Sequence, residues 1–114
     1  MRICIDMDGT ICETKKPDEE YKDVKPKPGA VEALKKLKAD GHTIIIHSSR
    51  NMAAQTNNVA KIIAVQAPVF KEWFDKYGIE FDELLFGKPL ADIYIDDKAL
   101  QYRESWIEII NKIN

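Results

Sequence analysis

The sequence predicts an α/β domain of the Rossmann-like kind, a three-layer sandwich around a parallel sheet of about four strands in the order 4-1-2-3. Three observations carry that reading. Strand-like and helix-like segments alternate along the chain, the pattern of βαβ units wound right-handedly. The strand-like runs are short and apolar or β-branched, as buried parallel strands are. Each ends in polar or charged residues, and in such sheets the functional crevice lies beyond the carboxyl ends of the strands.

Arg2-Ile3-Cys4-Ile5 reads as a buried strand feeding the turn around Asp8-Gly9. Residues from about Cys12 to Lys27 are polar and hold Pro17 and Pro26, so a loop is expected there. Pro28 opens a helix with Val31, Leu34 and Leu37 on one face and Gly41 as its stop. Thr43-Ile44-Ile45-Ile46 is a strand buried on both faces. The stretch Asn51–Gln66, rich in Asn, Gln and Ala, gives no clear period. A second helix runs from Pro68 through the stripe Val69, Phe70, Trp73, Phe74 and Tyr77 to Gly78. Glu83–Phe86 is a third strand and Ile93-Tyr94-Ile95 a fourth. A last helix carries Tyr102, Trp106, Ile109, Ile110 and Ile113 on one face.

The chain of 114 residues is long enough for one core and too short for two, so residues 1–114 form a single domain. Apolar residues make up 45% and charged residues 32%, ordinary for a globular protein. No apolar run approaches the length of a membrane span, and no signal peptide is expected. A net charge of −2 gives no long-range attraction to nucleic acid or anionic membrane. Cys4 and Cys12 are expected as free thiols, and the setting as cytoplasmic.

The strand ends carry the chemistry. The first delivers Asp6-Met7-Asp8-Gly9-Thr10, the second His47-Ser48-Ser49-Arg50, the third Gly87-Lys88-Pro89 and the fourth Asp96-Asp97. Four carboxylates on one rim repel one another unless a cation is present, and hard oxygen ligands in modest number suit Mg²⁺ with a substrate phosphate. Lys88 adds a fixed positive charge and Ser48 a hydroxyl donor. Such a set suits phosphoryl transfer, where positioning and charge neutralisation dominate.

In this order the four segments resemble the motifs of the haloacid dehalogenase-like superfamily: Asp6-Met7-Asp8-Gly9-Thr10-Ile11 the first, Ser48 the second, Lys88 the third and Asp96-Asp97 the fourth. The resemblance implies Asp6 as nucleophile of an aspartyl-phosphate intermediate and Asp8 as general acid and base. It implies Mg²⁺ held by the Asp6 carboxylate, the Asp8 carbonyl and Asp97, with Asp96 acting through water or behind the ligands. Ser48 and the amides of Met7 and Ser49 would hold phosphate oxygens, and Lys88 would bridge nucleophile and phosphoryl group. The acid two residues after the nucleophile favours a phosphatase over a dehalogenase.

The gaps between motifs leave no room for a cap domain, so the site is expected to be open. Within the capless branch, Arg2–Thr14, Phe86–Pro89 and Asp92–Ala99 are similar to bacterial capsule-biosynthesis phosphatases. That implies a phosphorylated sugar or polyol as the small-molecule partner, with no nucleic acid and no membrane, and a homo-oligomer as an option. A nucleotide or nucleic-acid 3′-end phosphatase and a catalytically silent binding subunit are the alternatives.

Arg50 points from the same rim, toward a substrate anion or into a surface ion pair. His47 should face away from Ser48 as a packing residue, and His42 sits in a loop. Cys12 is a passive small residue or a redox handle near the site. Trp73 and Trp106 belong to the core or in part to an oligomer interface. Asn57, Asn58 and Lys61 lie on a lid or on a plain surface helix.

Overall fold

The computed structural model describes residues 1–54 and 58–114. Strand β1 (Arg2–Ile5) is followed by a loop with a short 3-10 turn at Tyr21–Asp23, then by helix α1 (Ala30–Ala39) and strand β2 (Thr43–Ser48). Helix α2 (Val59–Tyr77), strand β3 (Glu83–Phe86) and helix α3 (Trp106–Ile113) complete the chain. The three strands are parallel in the order β1-β2-β3, with Ile3 opposite Ile44 and Ile46 opposite Leu84.

The expected α/β architecture with β1, β2 and β3 side by side is present. The register places Ile3, Ile5, Ile44, Ile46, Leu84 and Phe86 on one face, where they meet α1, α2 and α3 in one core cluster with Leu34, Leu37, Phe70, Phe74 and Trp106. Two right-handed crossovers that step the same way across a sheet leave both helices on the same side. The other face, with Cys4, Ile45, His47 and Leu85, carries no helix among the described residues; Ile45 is buried between its neighbours, but Cys4 is exposed rather than buried. The layers are therefore two where the sequence led us to expect three.

The fourth strand is also corrected. Residues 93–95 pair with no strand among the described residues, and Ile93, Tyr94 and Ile95 are 76%, 50% and 98% exposed. Only the six residues 87–92 separate Phe86 from Ile93, whereas a parallel return needs a crossover of a dozen or more. β1 is consequently an edge strand.

Helix α2 begins earlier than expected. Asn58 caps it by accepting a hydrogen bond from the Lys61 amide at 3.2 Å, and Pro68 lies inside it rather than at its start. The burial of Ile62, Gln66, Phe70, Trp73 and Phe74 along one stripe offsets the hydrogen bond that Pro68 cannot donate. Gly78, at φ 66°, closes the helix in the left-handed conformation, as expected. The Trp73 indole donates to the Val24 carbonyl at 2.8 Å and ties the first loop to α2. Asn57 lies outside the described residues; Asn58 and Lys61 stand in the exposed first turn of α2.

Candidate active site

The turn after β1 is built by its own backbone. The Met7 carbonyl accepts from the amides of Thr10, Ile11 and Cys12, and the Gly9 amide donates to the Cys12 carbonyl at 2.8 Å. Gly9 sits at φ 86°, a conformation that a side chain disfavours, so the tight loop depends on glycine here. The Met7 side chain is driven into the core at 1% exposure, and it anchors the loop so that Asp6 and Asp8 face the rim at the carboxyl ends of the strands.

Asp6 is half-buried and has two neighbours. Lys88 Nζ stands 3.5 Å from Oδ1, and Thr10 Oγ1 donates to Oδ2 at 3.3 Å. Lys88 is brought there because Gly87, at φ 84°, turns the chain at the end of β3 and the Lys88 amide bonds the Ser48 carbonyl at 3.2 Å. A Cβ on Gly87 would also come within 3.0 Å of Val59 Cγ2, so both conformation and space require glycine.

Asp8 is gripped by Arg50 in a two-pronged ion pair, with Nε to Oδ2 at 3.0 Å and a terminal nitrogen to Oδ1 at 2.7 Å. Arg50 is nearly fully buried. Its guanidinium lies 4.0 Å from the centre of the Tyr21 ring and 4.3 Å from that of Phe70, and it donates to Gln66 Oε1 at 3.1 Å. The planar guanidinium is stacked and forked at once, which an ammonium group cannot do. Of the two readings open for Arg50, the structure gives an ion pair, though a buried one within the site.

Ser48 is 1% exposed, and its Oγ accepts from the Arg50 amide at 3.0 Å. Ser49 is half-buried beside it, its carbonyl accepting from the Met52 amide. The Cys12 thiol lies 3.4 Å from Asp8 Oδ1. Burial first, and then the Asp8 charge, push that thiol far above its ordinary range, so it stays neutral and packs as a small apolar group. His47, on the open face, is lowered by desolvation and by the Lys88 charge.

Asp6, Asp8, Ser48, Arg50 and Lys88 are thus brought together, and the expected fourth contributor is not. Asp96 and Asp97 are exposed; Asp96 accepts from the Lys98 amide at 2.7 Å. Among the described residues no three His, Cys, Asp or Glu side chains gather to hold a metal. The set expected for Mg²⁺, with carboxylates from Asp6 and Asp97 and the Asp8 carbonyl, is not assembled by one chain. Sequence reasoning had left Thr10, Tyr21 and Gln66 without a site role. Gln66 could have been found, as a polar residue at a buried position of the α2 stripe, whereas nothing in its loop marks Tyr21.

An aspartate-bearing turn after β1, a hydroxyl at the end of β2 and a lysine at the end of β3 stand at one rim of a Rossmann-like sheet. The profile of haloacid dehalogenase-like hydrolases matches residues 3–72, and the chain belongs to that family. A crystal structure of a protein from Vibrio cholerae is 31% identical, with 99% of this chain and 98% of that one covered at a TM-score of 0.79. The D,D-heptose 1,7-bisphosphate phosphatase of B. bronchiseptica, crystallised with magnesium and phosphate, shares the fold at 14% identity and a TM-score of 0.56. That match covers 86% of this chain and 53% of the phosphatase. A chain of the Pnkp1/Rnl/Hen1 complex shares the fold at 23% identity and a TM-score of 0.53, over 84% of this chain and 30% of its own. No curated protein matches the sequence. Among the described residues, no helix is long and apolar enough to cross a membrane.

Proposed function

We propose that this hydrolase cleaves phosphomonoesters through a phosphorylated Asp6. The observation that carries the reading is the Asp6 carboxylate, half open to solvent, with the Lys88 ammonium 3.5 Å away and Thr10 on its other oxygen. The ammonium offsets the repulsion between an anionic nucleophile and an anionic phosphate. Asp6 attacks phosphorus, the bond from phosphorus to the leaving oxygen breaks, and that oxygen takes its proton from Asp8. Water, giving a proton back to Asp8, then attacks the same phosphorus, which breaks its bond to Asp6 and releases inorganic phosphate.

Arg50 orients Asp8 for both transfers. The carboxylate that Asp8 becomes on giving up its proton is the form that the guanidinium holds in two hydrogen bonds, which favours the first transfer and opposes the second, in which Asp8 takes a proton back. Ser48 and the amides of Met7 and Ser49 are the groups proposed to receive the phosphate oxygens. Mg²⁺, as family members of this kind use, would neutralise charge on the transferring group.

The substrate proposed is a phosphorylated sugar or polyol of surface-polysaccharide synthesis, in the cytoplasm. It rests on the similarity of Arg2–Thr14 and Asp92–Ala99 to capsule-biosynthesis phosphatases and on the absence of a basic stripe. The test is phosphate release from a panel of sugar, polyol, nucleotide and oligonucleotide phosphates with Mg²⁺, wild type beside Asp6→Asn. Wild-type turnover of a sugar or polyol phosphate is expected, with a loss in the variant of about 10⁴-fold or more. Steady-state turnover surviving in Asp6→Asn rules out the aspartyl-phosphate route.

A further inference from the structure

We infer that the site is completed in trans: a second copy of this chain lays its Asp92–Asp97 segment along the free edge of β1 and contributes Asp97 to the Asp6 rim. The inference starts from two unmet halves of one strand pair. β1 is bonded on one side only, to β2. The segment Ile93-Tyr94-Ile95 belongs to no strand and is largely exposed, Tyr94 alone being held within its chain through the Pro89 carbonyl and the Lys88 ammonium 4.4 Å from its ring, and residues 89–104 make no backbone–backbone hydrogen bond among the described residues. Edges and apolar strand-like segments left open in this way are templates for pairing with another chain.

The two halves match in register. Pairing in parallel with Ile93 beside Ile3 sets Tyr94 beside Cys4, Ile95 beside Ile5 and Asp96 beside Asp6. Side chains alternate across a strand, so Ile93 and Ile95 would extend the core face already formed by Ile3 and Ile5. Tyr94 would join Cys4 on the open face, and the Asp96-Asp97 pair would arrive where Lys88 stands over Asp6. The charges are complementary, and the arriving pair holds the Asp97 carboxylate expected on this rim. This part rests on the phosphatase reading above.

In this register the donor is not the same chain. The Lys88 amide is bonded to Ser48, the partner of Phe86, which fixes Lys88 at or beyond the end of β3. Through the two registers Ile3 lies level with Asp82, four residues before Phe86. Four residues of strand are about 13 Å, and three strand spacings to the far side of β1 are about 14 Å. The separation from Lys88 to the Ile93 position is then about 19 Å or more in a straight line through the packed sheet. The five residue steps between them reach at most about 18 Å. A second copy has no such tether, and reciprocal exchange about a two-fold axis satisfies both chains with the same contacts.

Two experiments test the exchange. Tyr94→Cys is made to face the native, exposed Cys4, at a spacing that neighbouring strands and disulfides share. Under mild oxidation a covalent dimer is expected on a non-reducing gel, and none when Cys4→Ser is added. A cross-link closing within one chain, or a particle of the 13.1 kDa chain mass in light scattering, overturns the inference. The second experiment co-expresses Asp6→Asn and Asp97→Asn chains under two tags and purifies the mixed dimer through both. Each variant alone is expected to be inactive. The mixed dimer has one intact site and one doubly altered site, so about half of wild-type activity per dimer returns. A mixed dimer as inactive as its parents, beside an active wild type, overturns site sharing. An inactive wild type that still cross-links between chains overturns the phosphatase reading and leaves the exchange standing.

Discussion

Arg50 shows how much a single side chain can decide in a site this small. Its position after β2 is legible from the sequence, but its partners come from three distant places: Asp8 on the first turn, Tyr21 in the loop, and Gln66 and Phe70 on α2. A residue that bound a substrate anion would point outward; Arg50 is 5% exposed and spends its fork on Asp8. On the proposed mechanism it is a positioning residue for Asp8. Arg50→Lys keeps the charge and loses the fork and the stacking. We expect kcat to fall about tenfold, less than the roughly 10²–10⁴-fold of losing general acid–base help outright because Asp8 itself remains, with KM changed far less. Stability should fall by roughly 2 kcal/mol, the scale of hydrogen bonds to a charged group. Steady-state kinetics with urea unfolding check both; a large rise in KM at constant kcat would mark Arg50 as a substrate contact instead.

The elements were legible where local pattern and tertiary packing agree. Ile44–Ile46 is buried as its β-branched run predicts, and the αL residue Gly78 ends α2 as expected. They were misread where a strong local signal was overridden. Pro68 marks a helix start by propensity, yet the stripe Ile62–Gln66–Phe70 carries the helix through it. Pro68→Ala restores an amide donor at an exposed position of α2, and is expected to stabilise the protein. A gain of about 1–2 kcal/mol is expected, less than the full interior-proline penalty because proline also restricts the unfolded chain. Circular dichroism melts of the pair would show it; an equal or lower Tm would mean that α2 has already relaxed around the proline.

For the whole molecule, the expectation of a fourth strand failed on chain length rather than on composition. Ile93-Tyr94-Ile95 has strand character in the sequence, and Asp96-Asp97 follows it where the fourth motif was expected. The signal that weighs against a return within the chain, six residues between Phe86 and Ile93, was present in the sequence and is a matter of reach. Without that strand the sheet keeps an open edge and an open face, and the Asp6 rim lacks one carboxylate. If a second copy closes all three, folding and assembly are one equilibrium. Apparent stability then depends on protein concentration, by about 1.4 kcal/mol of dimer per tenfold change. Shared over two chains of this size, that corresponds to a rise in Tm of roughly 2–4 °C per tenfold concentration. Specific activity per chain should fall on dilution for the same reason, because a lone chain holds Asp6 without a partner's Asp97. Calorimetry across a hundredfold concentration range, with phosphate release measured on the same dilutions, reads both. A constant Tm with constant specific activity would mean that a single chain, with one carboxylate beside Lys88, is the working unit.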